Sequence, residues 1–333
     1  MWRRSCHTTR TCLAVFAPSR PARIRVSAPH GLLLLNWRVR RLIVNADDFG
    51  LTAGVNQAIA ECHTRGVVSS ATLMATGAAL ANAVALTATL PQLSVGCHIV
   101  LVDGQPVMPA KEVQSLASGD NGTAFAPTLG AFIQRVLTGR ISESEIEAEA
   151  TAQFRRLQQA GIAISHFDTH KHTHVFPSVL RPLLRAARTC GIRALRNPFV
   201  PTRALPFEDL RQRPSLWKRY LQVRALRRFL PEFQDLVQEM GLTTPDGSLG
   251  VMETGFLDPE LFTAMLKAIA EELPEGTWEM VCHPGYNDAD LAGVRTRLRT
   301  SRAQELSVLT SPEARQQVQA GGIELISYQS LIS

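Results

Sequence analysis

The sequence predicts an α/β fold: a TIM-like (β/α) barrel, distorted or seven-stranded, with a helical insertion; an open doubly wound sheet is the alternative. Three observations carry this. From Arg41 onward, short apolar runs alternate with segments of helical period, the mark of a parallel sheet with crossover helices. Roughly seven strand-helix units follow one another, and 333 residues accommodate one barrel of about 250 residues plus extensions. No Gly-x-Gly-x-x-Gly follows the first apolar run, which weakens a dinucleotide-binding sheet.

Arg41 to Asn45 reads as the first strand. Thr52 to Arg65 reads as the first helix, with Val55, Ala58, Ile59 and Cys62 on one face and Gly66 as its stop. A strand near Ser69 to Met74, a helix over Ala78 to Ala88 and a strand over Leu93 to Val100 follow. Asp103 to Pro127, rich in Gly, Pro and Ser, reads as a long functional loop, and Thr128 to Leu137 as helix. Ser142 with Glu145 three residues later resembles a capping box, opening a helix that Gly161 ends. Then come a strand over Ile162 to Asp168, a helix from Pro177 to Cys190 and a strand around Ile192 to Arg196. Residues 207–240 interrupt the rhythm as a basic helical insertion. A strand near Leu249 to Met252, a helix capped by Asp258 with Pro259 at its first position, and strands over Thr277 to Cys282 and Gly322 to Ser327 complete the chain.

The net charge of +6 is unevenly spread. Nine Arg and no acidic residue fall within residues 1–41, and removing those nine leaves 26 basic against 29 acidic residues. The folded part is therefore mildly acidic, which gives no support to a nucleic-acid partner. Residues 1–39 read as a disordered leader or a misassigned start, with translation beginning near Val39 from a non-ATG codon; an organellar transit peptide is the other reading. Six cysteines without a Cys-x-x-Cys pair suggest buried free thiols in a reducing compartment: Cys62 and Cys190 on helices, Cys97 and Cys282 at strand ends, and Cys6 and Cys12 in the leader.

Chemistry-bearing residues collect at strand ends. Asn45-Ala46-Asp47-Asp48-Phe49-Gly50 ends the first strand, Gly96-Cys97-His98 the third, His166 to His174 the fourth, and His283-Pro284-Gly285 a late one. Alone, Asp47 and Asp48 read equally well as a turn and helix cap, and a lone His98 or His283 as an ordinary imidazole. In a parallel barrel, however, these termini converge on one face, where the loops build the active site. His166, Asp168, His170, His172 and His174 alternate and would share one face if extended. An adjacent carboxylate pair at a buried strand end is costly without a compensating cation. A carboxylate and two or more imidazoles from different strands suit a divalent metal with open positions.

These motifs resemble the YdjC/ChbG-like carbohydrate deacetylases over about residues 40–330. The order Leu-Val-Asp-Gly-x-Pro-Val at Leu101 to Val107 is most similar to the members associated with hopanoid biosynthesis. The resemblance implies a metal-dependent hydrolase that removes N-acetyl groups from an amino sugar, chitooligosaccharide-like or an N-acetylglucosaminyl hopanoid lipid. It implies Asp48, His98 and His170 as ligands of one divalent ion, magnesium or zinc, although mixed oxygen and nitrogen ligands also tolerate manganese or iron. Asp47 is then the general base and His283 the general acid or oxyanion stabiliser. Asp168 orients His170 or a neighbouring imidazole, and His172 and His174 contact the sugar.

Two further readings use the same residues: a non-haem iron oxygenase with a two-His, one-carboxylate site, and a non-catalytic sugar-binding protein. The insertion, with seven basic residues between Arg211 and Phe229 beside Trp217, Tyr220 and Leu221, reads as a solvated helix packed by its apolar side or as a peripheral membrane contact. A cytoplasmic homo-oligomer, peripheral at the inner face of the membrane, is the expected setting.

Overall fold

The computed structural model describes residues 39–201 and 217–333. The expected leader up to residue 38, with Cys6 and Cys12, and residues 207–216 of the insertion lie outside them.

Among the described residues seven strands form one parallel sheet: β1 (Arg40–Phe49), β2 (Ser70–Leu73), β3 (Ser94–Ile99), β4 (Phe167–Thr169), β5 (Gly247–Leu249), β6 (Gly276–Cys282) and β7 (Ile323–Leu325). The order is β4-β3-β2-β1-β6-β5. β1 is long enough to serve two neighbours on one edge: Arg40–Leu42 pair with β7, and Asn45–Phe49 with β2, while β6 runs along the other edge.

The expected barrel is not fully closed. The sheet forms a half-barrel with β4 and β5 at its ends; beyond β4, isolated bridges join Phe167 to Leu195 and Ala194 to Thr243, and the N–H of Ser248 in β5 donates to the Phe199 carbonyl. The stretch around Ile192 to Arg196, expected as a strand, contributes only these bridges. Pro198 explains why: it brings no N–H to a ladder and restricts the residue before it, and the Asn197 amide bonds the carbonyls of Pro245 and Asp246 instead.

The two faces of β1 show how the sheet divides the core. Leu42, Val44 and Ala46 belong to the large apolar layer between sheet and helices, whereas Ile43 packs in a small inner cluster with Ala194 and Tyr328. Period-two alternation puts Asn45 and then Asp47 next along that inner line. The inside of the half-barrel thus turns polar towards the C-terminal ends of its strands.

The covering helices begin and end where capping chemistry allows. Thr52, Thr128 and Asp258 each accept a backbone N–H at the start of α1 (Ala53–Thr64), α3 (Leu129–Leu137, after α2 at Leu80–Thr87) and the Pro259–Lys267 helix. The expected capping box of α4 (Glu143–Gln159) does not form. Ser142 makes no side-chain cap bond, and Glu145 turns away to accept the N–H of Ser115 in the long loop. That loop is further tied to α4 by the buried Glu149, which accepts the N–H groups of Val107 and Met108.

α5 (Pro177–Thr189) ends one residue short of Cys190. Beyond it, α6 (Trp217–Leu226) and α7 (Leu230–Glu239) form the described part of the insertion, which packs by its apolar side: Phe229 lies against Phe176, and Arg227 donates to the Val200 carbonyl. The Pro259–Lys267 helix is α8; α9 (Ala289–Ala292), α10 (Thr300–Leu309), α11 (Pro312–Ala320) and α12 (Tyr328–Leu331) complete the chain. Cys62, Cys97, Cys190 and Cys282 are free thiols, all buried except the half-buried Cys190.

Candidate active site

The Asp47-Asp48 pair is aimed by a defect in the sheet. In a regular strand adjacent side chains point to opposite faces, so one carboxylate would enter the helix layer. The β1–β2 register slips between Ala46 and Phe49, and Asp48 adopts a left-handed backbone (φ 65°) that Asp tolerates better than most residues. Gly50 follows at φ 91° and completes the turn. Both carboxylates are thereby held at the polar end of the half-barrel, each nearly inaccessible to solvent.

Asp48 meets two imidazoles there. Its Oδ1 lies 3.4 Å from His98 Nε2 and 3.3 Å from His170 Nδ1, and the two ring nitrogens are 3.3 Å apart. The three atoms form a nearly equilateral triangle. Bonds of about 2.0–2.1 Å to a tetrahedral ion imply ligand separations of about 3.3–3.4 Å, so these edges match a cation seated over the triangle. Among the described residues Asp48 Oδ1 is also a buried acceptor without a hydrogen-bond partner of good geometry, whereas Oδ2 is held by Arg302. Burial opposes ionisation of Asp48, but Arg302 and the two imidazoles hold its carboxyl well below the usual range. The donor set fits a divalent ion.

His98 is oriented from behind. Its Nδ1 is 2.6 Å from Asp168 Oδ1, which leaves Nε2 facing the triangle. Burial would lower this imidazole's pKa, but Asp168 and Asp47 outweigh it and push it up to about 10. A proton on His98 and a metal ion are thus alternative ways of neutralising the same acidic pocket. Asp168 orients His98 rather than His170.

A second group, Asp47, His98 and Asp168, also brings its ligand atoms within 4.8 Å of one another. It already has a resident cation. The buried Arg196 donates to Asp47 Oδ2 at 2.9 Å and Oδ1 at 2.6 Å, pairs with Asp168 Oδ2 at 2.6 Å, and donates through Nε to Glu279 Oε1 at 2.9 Å. Despite complete burial, Arg196 and His98 hold the Asp47 carboxyl far below its ordinary value. Oδ1 of Asp47 further receives Asn45 and Thr72, while Oδ2 has the single guanidinium contact and faces His283 Nε2 at 3.7 Å.

His283 sits on the turn after β6. Its backbone N–H is held by Glu305 on α10 at 2.5 Å and its carbonyl by Arg302 at 3.4 Å. Burial lowers the ring's pKa to about 4, and Nδ1 has no hydrogen-bond partner among the described residues, so the ring rests neutral beside Asp47.

The alternation expected along His166 to His174 does not hold. β4 ends at Thr169, and His170 to Val175 form a tight turn in which Lys171 and His172 adopt left-handed backbone at φ 60° and 53°. His166 instead lies in the interior, stacked on Tyr328 with ring centroids 3.6 Å apart and bonded to Asn45 and Ser165. A Cβ at Gly96 would lie 2.5 Å from that ring, so only glycine fits opposite it. His174 is buried with Nδ1 on Thr169 Oγ1 at 2.7 Å; His172 is half-buried with its ring centroid 6.4 Å from that of His174. Neither joins the triangle of Asp48, His98 and His170.

Arg196 and Arg302 escaped the sequence reading. Arg196 carried a usable signal, a cation at the end of an apolar run opposite the strand-end carboxylates. Arg302 carried a weaker one: with Glu305 it places two charged residues at helical spacing on the buried side of α10.

Comparison with known proteins agrees with this geometry at the level of family. A family model described as YdjC-like protein matches residues 41–320. A chitooligosaccharide deacetylase of Serratia marcescens is 33% identical over 298 residues, covering 87% of this chain and 98% of its own. A carbohydrate deacetylase of Geobacillus stearothermophilus is 32% identical over 290 residues, covering 87% and 97%. Among solved structures, a candidate cellobiose-phosphate cleavage protein from Enterococcus faecalis V583 superposes with a TM-score of 0.68 at 27% identity, covering 88% of this chain and 99% of its own.

Proposed function

The chain belongs to the YdjC-like protein family, and from that premise we propose that it is a metal-dependent hydrolase removing an N-acetyl group from an amino sugar. The observation that carries this reading is the triangle of Asp48 Oδ1, His98 Nε2 and His170 Nδ1, with Asp47 and His283 beside it. The deacetylase names of the relatives support the substrate class.

Asp48, His98 and His170 would hold the ion, and the chemistry it would supply when bound is Lewis acidity toward water and the acetamide carbonyl. Arg196 keeps Asp47 ionised, and the less encumbered Oδ2 accepts the proton of the attacking water. His283, neutral at rest and 3.7 Å from that oxygen, receives the proton and delivers it to the departing amine. Asp168 keeps Nε2 of His98 turned to the ion, and Thr72, within 3.3 Å of Asp47, His98 and Asp168, braces all three.

An iron oxygenase would use the same three ligands. It has no need of a base and an acid placed as Asp47 and His283 are. The finer reading is a lipid-linked acceptor, an N-acetylglucosaminyl hopanoid, for a homo-oligomer working in the cytoplasm at the inner membrane face. It is supported by the Leu101 to Val107 motif and by the basic α6, on which Leu221 is 59% exposed. Among the described residues no helix is long and apolar enough to cross a membrane.

The test measures acetate and free amine released from short chitooligosaccharides and from N-acetylglucosaminyl lipids, with dissolved oxygen followed in parallel. The expected result is one acetate per amine without oxygen uptake. Oxygen consumption without acetate would replace this reading by the oxygenase. Turnover of the soluble sugars alone would remove the lipid-linked acceptor.

A further inference from the structure

The C-terminal end of the chain reaches the catalytic pocket from below. After β7, α12 enters the opposite end of the half-barrel, where the N–H of Tyr328 donates to Ser70 Oγ at 3.1 Å and that of Gln329 to Ser94 Oγ at 3.0 Å. Tyr328 is fully buried, its ring stacked on His166 with an interplanar angle of 9°. Its hydroxyl donates to Glu279 Oε2 at 2.7 Å, which Ser248 Oγ also reaches at 3.1 Å. Glu279 Oε1 in turn receives Arg196 Nε at 2.9 Å, and the rest of that guanidinium holds Asp47 and Asp168. Three side chains, Tyr328, Glu279 and Arg196, thus link α12 to the carboxylate of Asp47 beside the candidate metal.

We propose that Tyr328 is a positioning residue for the reaction: through Glu279 it fixes the rotation of the Arg196 guanidinium, and through Arg196 the orientation of the Asp47 carboxylate. This rests on the functional reading above. A guanidinium is a planar fork, so its angle decides whether both Asp47 oxygens can be held at once. Among the described residues Arg196 has three carboxylates to serve, and only Glu279 receives its Nε–H. Glu279 itself is kept in place by two hydroxyls. In a fully buried network each partner polarises the next, so losing an end hydroxyl is felt along the chain. Filling a barrel end would require only the apolar ring; positioning Glu279 requires the hydroxyl bond.

The experiment compares wild type with Tyr328→Phe, which keeps the ring, the stack and both backbone contacts. Steady-state kinetics per folded molecule are measured together with metal content and with solvent exchange of the Arg196 Nε–H by NMR. The expected result is a kcat lowered about tenfold with KM within about twofold, unchanged metal content and at least about fivefold faster Nε–H exchange. A structural plug alone would lower the folded fraction and leave kcat per folded molecule and the Nε–H exchange at wild-type values, which would overturn the proposal. Glu279→Gln weakens the same link one step closer, by removing the charge to which Arg196 Nε and the Tyr328 hydroxyl bond, and takes the place of Tyr328→Phe should that variant not fold. If wild type releases no acetate, the functional reading fails, and Arg196 Nε–H exchange decides the positioning claim alone: faster in the variant supports it, unchanged overturns it.

Discussion

Asp47→Asn is expected to lower acetate release by at least about 10³-fold while leaving one metal ion per chain and a folded protein. The size follows from the role: removing a positioned general base costs about 10²–10⁴-fold. The retained fold follows from charge. Asn keeps an amide oxygen for Arg196, and the guanidinium retains Asp168 and Glu279 as carboxylate partners, so the buried cation stays neutralised and the loss of the Asp47 charge lowers Tm without unfolding the protein. The retained metal follows because Asp47 is not a corner of the Asp48, His98 and His170 triangle. The measurement is kcat on chitooligosaccharide alongside metal content and Tm. Full turnover by the variant would remove Asp47 from the mechanism.

His98→Ala is expected to lose the metal as well as the activity. Its imidazole is the one group that faces both sites, Nε2 in the triangle and Nδ1 on Asp168. Its removal leaves two ligands and an acidic pocket whose nearest cations, Arg196 and Arg302, are already paired. Metal content after dialysis should fall from one equivalent to less than about a tenth, with turnover lowered at least about 10³-fold. Asp168 keeps Arg196 and Thr72 as partners, so unfolding does not account for the loss. A variant that retains one equivalent would show that the ion sits elsewhere.

The strand ends were legible because catalytic residues in parallel α/β folds sit where apolar runs stop, and Asp47, Asp48, His98 and His283 each follow or end such a run. The His170 ligand was also legible, but its backbone was not. Alternation of His with Lys171 and Thr173 imitates a strand, and nothing local announces that Lys171 and His172 turn left-handed. The slipped register before Phe49 was hidden for the same reason: it depends on the pairing partner, not on β1 itself. Arg196 and Arg302 are ordinary surface residues in composition and become interior only because carboxylates remote in sequence neutralise them. The last strand was expected, but α12 behind it was not, since Tyr328 in a short polar segment resembles a frayed end until Ser70, Ser94 and Glu279 receive it.

The claim on which the chemistry depends is that one divalent ion is gripped jointly by Asp48, His98 and His170. Crystals grown with manganese or zinc and measured at the absorption edge of that metal address it without any assay of activity. The expected result is a single strong anomalous peak within about 2.3 Å of Asp48 Oδ1, His98 Nε2 and His170 Nδ1. A peak bound by other residues, or none at these three at saturating metal, would contradict it.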